Sequence, residues 1–481
     1  MPTSQTSARF GRRSTRGVLL GFTGWRVGAL GVAIVAVLFW LLVVGGLGGF
    51  GIGLLAAAGP VAVAFTRVGG LPTVEWTPTA LHWQARVLAG QTTYRARPTG
   101  PRPAGTLALP GDAASLRFHV PEAQPVCMIH DPWRNTLSAV LHVRHPAYVL
   151  LSPDEQAQRV SAWGRVQASL AQSEGCAGLQ IMEAAIPDSG QGVRDWYERH
   201  ASHRDGWAAR QYEELLSATS VGSSTHRSTI TLSLDLRASA SVIRASGGGL
   251  GGAAKVLGGD MEALEYGLRQ AGLDFGWWAT EPEVAAMVRS AYDPALGGEF
   301  GPTSPGANLA RGGPLALDEH WSYLRHDSGY STVLWISEWP RIEVAAHFLH
   351  PLIFAPDVRK TLSIHMRPKN VSSALRQIRR DKTAMEADRR QKEKIGQIHD
   401  LADDQEWTDV VARERALIAG HAEVDYFGWI VVTADDLDEL RSAVKQVERA
   451  ASQAVCETRV LYGQQAQGFV TAGLPLGRSS F

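Results

Sequence analysis

The chain has 481 residues, enough for about two or three domains with a full apolar core. Its 47 basic and 47 acidic side chains cancel, so overall charge gives no argument for nucleic-acid binding, although a local patch stays open. Cys127, Cys176 and Cys456 are far apart and form no Cys-x-x-Cys pair. That spacing argues against a disulfide framework or a zinc site and for buried free thiols in a reducing compartment. The 15 Trp residues form no single cluster and read as core and interface aromatics.

No Asp or Glu occurs before Glu75. A basic N-terminus, residues 1–26, carries Arg9, Arg12, Arg13, Arg16 and Arg26, and residues 27–66 then hold no charge. As one helix those 40 residues would run about 60 Å, twice the ~30 Å hydrocarbon thickness of a bilayer. Gly45-Gly46-Leu47-Gly48-Gly49 supplies a turn at the midpoint, so we expect a transmembrane hairpin with spans at 27–44 and 50–66. Arginines flank both ends of it (Arg67, Arg86, Arg95 and Arg97 follow), and the connecting loop has none. The positive-inside rule then predicts both termini in the cytoplasm and the chain in the inner (cytoplasmic) membrane. A cleavable signal peptide fits less well, because the apolar run is too long and a second span follows at once. Gly24/Gly28 and Gly49/Gly53 have the spacing that lets helices pack closely.

Residues 67–105 read as a juxtamembrane helix and a Pro/Gly linker. Pro72 and Pro78 suit helix starts, Trp76 and Trp83 share one helical face, and 97–105 is the linker. An α+β subdomain is expected at 106–296, with strands at 116–120, 126–129, 136–143, 179–186 and 228–236. Helices are expected at 153–173, capped by Ser152, and at 193–217. The Gly-rich run 247–252 reads as a flexible loop, with a helix at 261–271 only after a second break at Gly258-Gly259.

A linker at 297–313 precedes a second α+β subdomain, 314–481, that repeats the same grammar. Strands are expected at 330–337 and 360–366. A long polar helix at 371–399 then pairs with 405–420 as a charged helical hairpin, and a β-α-β unit (424–432, 435–451, 456–461) closes the chain. The fold class is a membrane protein with two N-terminal transmembrane helices and an α+β soluble part of two mixed subdomains, rather than a doubly wound nucleotide fold.

No catalytic constellation emerges. A P-loop needs Gly-x4-Gly-Lys-Ser/Thr so that backbone N–H groups cradle phosphate; here Lys255 follows Ala254 and precedes Val256. Gly247/Gly249/Gly252 match Gly-x-Gly-x-x-Gly without the helix start and acidic residue of a dinucleotide site. His-Glu-x-x-His and Gly-x-Ser-x-Gly are missing. Asp318-Glu319-His320 lacks a nucleophile and reads as a surface loop, and His347 and His350 read as core or cap residues. The basic residues of 376–394 are interleaved with acidic ones, which favours a solvated or subunit-facing helix over a nucleic-acid contact. No catalytic, cofactor-binding or metal residue is assigned, no cofactor is expected, and the chain is expected not to be an enzyme.

Two segments carry a family resemblance. The basic N-terminus, the hairpin and Arg67-Val68-Gly69-Gly70-Leu71-Pro72-Thr73-Val74-Glu75-Trp76 resemble the small PrgI-like membrane proteins found with conjugative transfer genes of Gram-positive bacteria. Gly329-Tyr330-Ser331-Thr332-Val333-Leu334-Trp335-Ile336-Ser337-Glu338-Trp339-Pro340, with Gly468 to Arg478, resembles the non-ATPase N-terminal domain of conjugative type IV secretion ATPases (the CagE/TrbE/VirB family). In those ATPases a similar Leu-Pro-Leu-Gly leads into the nucleotide-binding domain, whereas here the sequence ends three residues after Arg478. The combination resembles actinobacterial conjugation-element membrane proteins. It implies a non-catalytic inner-membrane scaffold of a DNA or protein transfer machine that docks a separate ATPase. Its implied partners are membrane lipids, a secretion ATPase, other channel subunits and further copies of the chain; direct nucleic-acid binding through 371–399 is left open. The alternatives are a membrane-anchored enzyme using Asp318/Glu319/His320 and a DNA-handling adaptor.

Overall fold

A computed structural model describes residues 7–8, 24–68, 71–97, 105–122, 124–144, 148–173, 175–187, 191–201, 206–219, 224–296, 308–395 and 401–478. The chain divides into two compact units. Residues 12–92 with 462–464 form one; the rest, including residues 1–11, forms the other.

The chain's first described element is β1 (Ser7–Ala8), which belongs to the larger unit. In the smaller unit, α1 (Gly24–Val44) and α2 (Gly46–Phe65) are long and apolar enough to cross a membrane, and they pack on each other. The expected five-residue turn contracts to Gly45 alone, with φ +71° there and +56° at Gly46, which only glycine adopts readily. A short ladder of β2 (Arg67–Val68) with β3 (Leu71–Pro72) leads into α3 (Thr73–Leu88), which opens after Pro72 and carries Pro78 in its second turn.

The larger unit is built on a 13-stranded sheet, antiparallel at every described pairing. Its strands begin at β4 (Thr93–Arg95), then β5 (Arg117–His119), β6 (Met128–Asp131) and β7 (Thr136–Val143). Helix α4 (Pro153–Gln172) follows, started by the expected Ser152, whose hydroxyl and Glu155 form a reciprocal capping box. Next come β8 (Cys176–Pro187), α5 (Gln191–His200), α6 (Trp207–Thr219), β9 (Ser224–Asp235), α7 (Ala240–Ala245), α8 (Gly249–Gln270), β10 (Phe275–Trp278) and α9 (Glu281–Tyr292). The single helix expected at 193–217 is thus two.

The flexible loop expected at 247–252 is corrected as well: α8 runs unbroken from Gly249 through Gly258-Gly259. Each glycine costs about 1 kcal/mol against alanine in a helix. Burial of Ala253, Ala254, Leu257, Met261, Leu264 and Leu268 along one stripe outweighs that. Gly252 is itself required, since a Cβ there would lie 2.6 Å from the Ile243 carbonyl oxygen.

The chain continues through α10 (Leu309–Gly312), β11 (Ala316–Glu319), β12 (Leu324–His326), β13 (Gly329–Glu338), β14 (Val344–Ala345), α11 (His350–Ile353) and β15 (Arg359–Lys369). Helices α12 (Val371–Ile395) and α13 (Leu401–Ile418) form the expected charged hairpin; residues 396–400 lie outside the described residues. β16 (Glu423–Ala434), α14 (Leu437–Gln453), β17 (Glu457–Val460) and α15 (Gln465–Ala472) end the chain's regular structure. Of the two expected linkers, residues 98–104 and 297–307 also lie outside the described residues.

The repeated grammar has a structural counterpart. In the first half β7, β8, β9 and β10 stand in the order β10-β7-β9-β8, and in the second half β13, β15, β16 and β17 stand as β17-β13-β16-β15. Both are the split β-α-β arrangement with strand order 4-1-3-2. Each half inserts a helical pair, α5–α6 or α12–α13, between its second and third strands. β8 pairs with β15 from Lys360↔Ala185 to Met366↔Leu179, so one sheet runs through both halves. Helices α4 and α8 cover one face of the first half, and α11 and α14 cover the second. The opposite face carries a shared core that includes Val140, Tyr292, Val333, Trp429 and Phe469.

Candidate interaction site

The sheet strands alternate, so residues two apart along β8 and β15 look to the same face. On the face opposite α4 and α8, the middle of the sheet is polar: Gln180, Ser138, Ser233, Thr231, Ser363 and His365 are all buried. Buried polar groups need partners, and the C-terminal segment 473–478 supplies them. Gln180 Nε2 donates to the carbonyl oxygens of Leu474 (2.9 Å) and Thr471 (3.2 Å) and to Ser363 Oγ (3.1 Å), while its Oε1 accepts from the Gly477 N–H at 2.9 Å. Thr231 Oγ1 donates to the Pro475 carbonyl at 3.2 Å. The strap ends on a buried ion pair, Arg478 Nε to Asp131 Oδ2 at 2.9 Å. Leu474 and Leu476 enter the shared core. Gly477 has φ +65°, and a Cβ there would sit 2.6 Å from Ser233 Oγ, so both conformation and space call for glycine.

The ion pair has a counterpart in the other half. Arg289 on α9 bridges Asp327 of the β12–β13 turn (2.6 Å) and Asp293 (2.6 Å), as Arg478 bridges Asp131 in the β6–β7 turn. The hydroxyl pairs Ser138–Ser233 (2.8 Å) and Ser331–Thr433 (2.7 Å) also correspond. Each half's turn aspartate is therefore held by an arginine that follows the last strand of the other half.

Two histidines on this face stay neutral. Burial pushes His365 down to about 3 and His326 to about 4. His365 Nε2 lies 3.2 Å from the Thr471 carbonyl, and His326 bridges the Tyr292 carbonyl and Ser331 Oγ, both at 2.7 Å. With folded values below the unfolded ~6.5, the unfolded chain binds more protons, so stability is lost as pH falls through that window. We expect each to remove about 2 kcal/mol between pH 7.5 and pH 5. Thermal unfolding at the two pH values checks this, and His365→Gln is expected to flatten the profile.

The residues singled out as alternative sites are placed in structural roles. Asp318 pairs with Arg95 at 2.7 Å across β11 and β4. Buried Glu319 accepts the Ala466 N–H at 3.0 Å at the start of α15, where the helix dipole favours a carboxylate. His320 stacks on Tyr323 with ring centroids 4.3 Å apart. Asp318 and Glu319 face opposite sides of their strand, so no joint site forms. His347 and His350 line an open apolar hollow of about 540 Å³ with Phe348, Phe354 and Val455, and their rings stand 6.4 Å apart. Among the described residues no three His, Cys, Asp or Glu come together to hold a metal. Cys127 and Cys456 are buried and Cys176 half-buried, all with free thiols; burial pushes each up to about 12.

No known family profile matches the sequence, and no curated protein matches it either.

The two inserted helical pairs present different surfaces. In α12–α13 the apolar residues Ala374, Ile378, Val410 and Leu417 are buried between the helices. Its charges pair largely within the hairpin and its base: Lys382 with Glu414, Arg413 with Glu423 (2.6 Å), Arg390 with Glu386 (3.4 Å) and Arg389 with Glu393 (3.4 Å). Hairpin α5–α6 instead exposes Trp196, Trp207, Tyr212 and Leu215, with Trp207 at 74 %. Large exposed aromatics on a projecting element are the usual anchors of a protein contact. Composition alone had put the tryptophans in cores and interfaces together; helical spacing within 196–215 was the signal that separates these from core residues.

Proposed function

We propose that the chain is a membrane-anchored, non-catalytic scaffold of a conjugative type IV secretion-like machine, with both termini in the cytoplasm, docking a separate ATPase. The observation that carries the reading is the pair of apolar helices α1 and α2 ahead of a large mixed unit. Topology has its own support: β1 precedes the two helices and β14 follows them, yet Ser7–Ala8 pairs with Val344–Ala345. That pairing is compatible only with an even number of crossings. The strap adds to the likeness with the secretion ATPases, because Leu474-Pro475-Leu476-Gly477 lies built into the sheet. On this reading the exposed α5–α6 aromatics are the ATPase contact, and lipids and further copies of the chain are the remaining partners.

Extraction in mild detergent and affinity purification of the full chain is expected to bring down a neighbour-encoded membrane ATPase. Combining Trp196→Ala and Trp207→Ala is expected to reduce that recovery at least tenfold without moving the unfolding temperature, since exposed aromatic anchors contribute to binding and little to folding. A monodisperse monomer that retains no such ATPase would sink the proposal.

A further inference from the structure

On the shared-core face, beside the strap, a cavity of about 40 Å³ opens between the two halves of the sheet. Strand register explains its lining. Arg227 on β9 stands opposite Ala184 on β8, and Ala184 opposite Thr361 on β15, so the three lie side by side across the sheet. Arg359 sits two residues before Thr361 on the same face, opposite Thr433 of β16. Ser290 of α9 closes one wall, and Gly473 and Pro475 of the strap close another.

The lining thus contains two guanidinium groups, three hydroxyl side chains and apolar groups, with no carboxylate among them. Arg359 is held in place by bonds to the carbonyl oxygens of Pro294 (2.9 Å) and Ser290 (2.8 Å). Both arginines are desolvated. Burial lowers Arg227 to about 9 and Arg359 to about 10, with Asp435 and Asp293 acting on Arg359 in the opposite sense from outside the lining. Two cations brought to one low-dielectric cavity repel each other and have given up much of their hydration. A single anion between them offsets both penalties, and a planar guanidinium fork matches the oxygen spacing of a phosphate or carboxylate. The volume is room for roughly two or three waters or one small ion, and too little for a nucleotide.

We propose that this cavity binds one small oxyanion, inorganic phosphate in its simplest form, held by Arg227 and Arg359 with the hydroxyls of Ser290, Thr361 and Thr433. The site is distinct from the proposed ATPase contact and does not depend on the membrane reading. Because Gly473 and Pro475 form part of its wall, the bound ion would also brace the strap.

The full chain in detergent, titrated with phosphate against chloride at constant ionic strength, is expected to show a saturable rise in unfolding temperature. The rise should be about 2–4 °C at ten times the dissociation constant. Arg227→Met is expected to remove the phosphate response while raising the phosphate-free unfolding temperature, because an apolar side chain of similar length replaces a desolvated charge. Glycerol 1-phosphate tests the source: a response equal to that of phosphate assigns the site to a phosphomonoester end, and a response to phosphate alone assigns it to the free ion. A rise that never saturates, or one that Arg227→Met retains, overturns the proposal. Should that variant fail to fold, calorimetric titration of the unaltered chain decides: heat saturating near one phosphate per chain supports the site, and no heat overturns it.

Discussion

Gln180→Ala is expected to destabilise the larger unit by about 3–5 kcal/mol, far beyond what a single side-chain truncation on a polar strand position usually does. The reason is the number of groups it strands. Gln180 serves the Leu474 and Thr471 carbonyls, Ser363 Oγ and the Gly477 N–H, and it is itself 1 % exposed. Removing one partner of a buried hydrogen bond costs about 1–3 kcal/mol for each group left unsatisfied, reduced here where the strap can relax or admit water. The companion change, Asp131→Ala, is expected to cost a similar 3–5 kcal/mol because Arg478 would remain charged with its side chain only 10 % exposed. The two sites are read together in a double-mutant cycle. Asp131→Ala and Arg478→Ala should be strongly non-additive, with the double variant little worse than Asp131→Ala, whereas Gln180→Ala should penalise both backgrounds. Chemical denaturation of the full chain provides the free energies, and additive losses for Asp131 and Arg478 would contradict the clasp.

Much of this was legible from the sequence, and the parts that were not have a common cause. Strand 136–143 was read to the residue because Leu137, Ala139 and Leu141 alternate with residues of the other face and Asn135 marks the turn. The Ser152 cap of α4 was equally local, a hydroxyl three residues before Glu155. Helix α8 was misread because glycine propensity is a local signal, and it was overridden by an apolar stripe that only pays off against the sheet. Pairing of β8 with β15 joins residues about 180 apart, and no periodicity within either strand encodes its partner. The same holds for the site. Leu474 to Gly477 was noticed only through resemblance, while Gln180 and Asp131 passed as ordinary polar residues. A clue was available at Gln180: it lies between Leu179 and Ile181 in a strand with buried residues on both faces, where an uncharged amide needs a specific partner.

Within the apolar hairpin, Gly53→Leu is expected to separate α1 from α2, while Gly51→Leu leaves them together. A Cβ at Gly53 would lie 2.8 Å from Val37 Cα and 3.0 Å from its carbonyl oxygen, and one at Gly49 would lie 2.6 Å from the Trp40 carbonyl oxygen. Those obstacles are backbone atoms, which cannot rotate away, so the helices themselves must shift. Gly51 and Gly28 have nothing within 4 Å, which assigns the packing role to the Gly49/Gly53 pair and not to Gly24/Gly28. In a bilayer, helices associate through close packing rather than through the hydrophobic effect, so loss of that approach removes most of what holds the pair. Overpacking of this kind costs about 1–3 kcal/mol or more. The antiparallel register sets residue 49 beside residues 40–41 and residue 53 beside residue 37. By extension 57 faces 33, and both Ala33 and Ala57 are buried. Cross-linking between Ala33→Cys and Ala57→Cys in native membranes therefore reports the packing directly. It should fall several-fold when Gly53→Leu is added and hold steady with Gly51→Leu; equal cross-linking in the two backgrounds would refute the glycine contact.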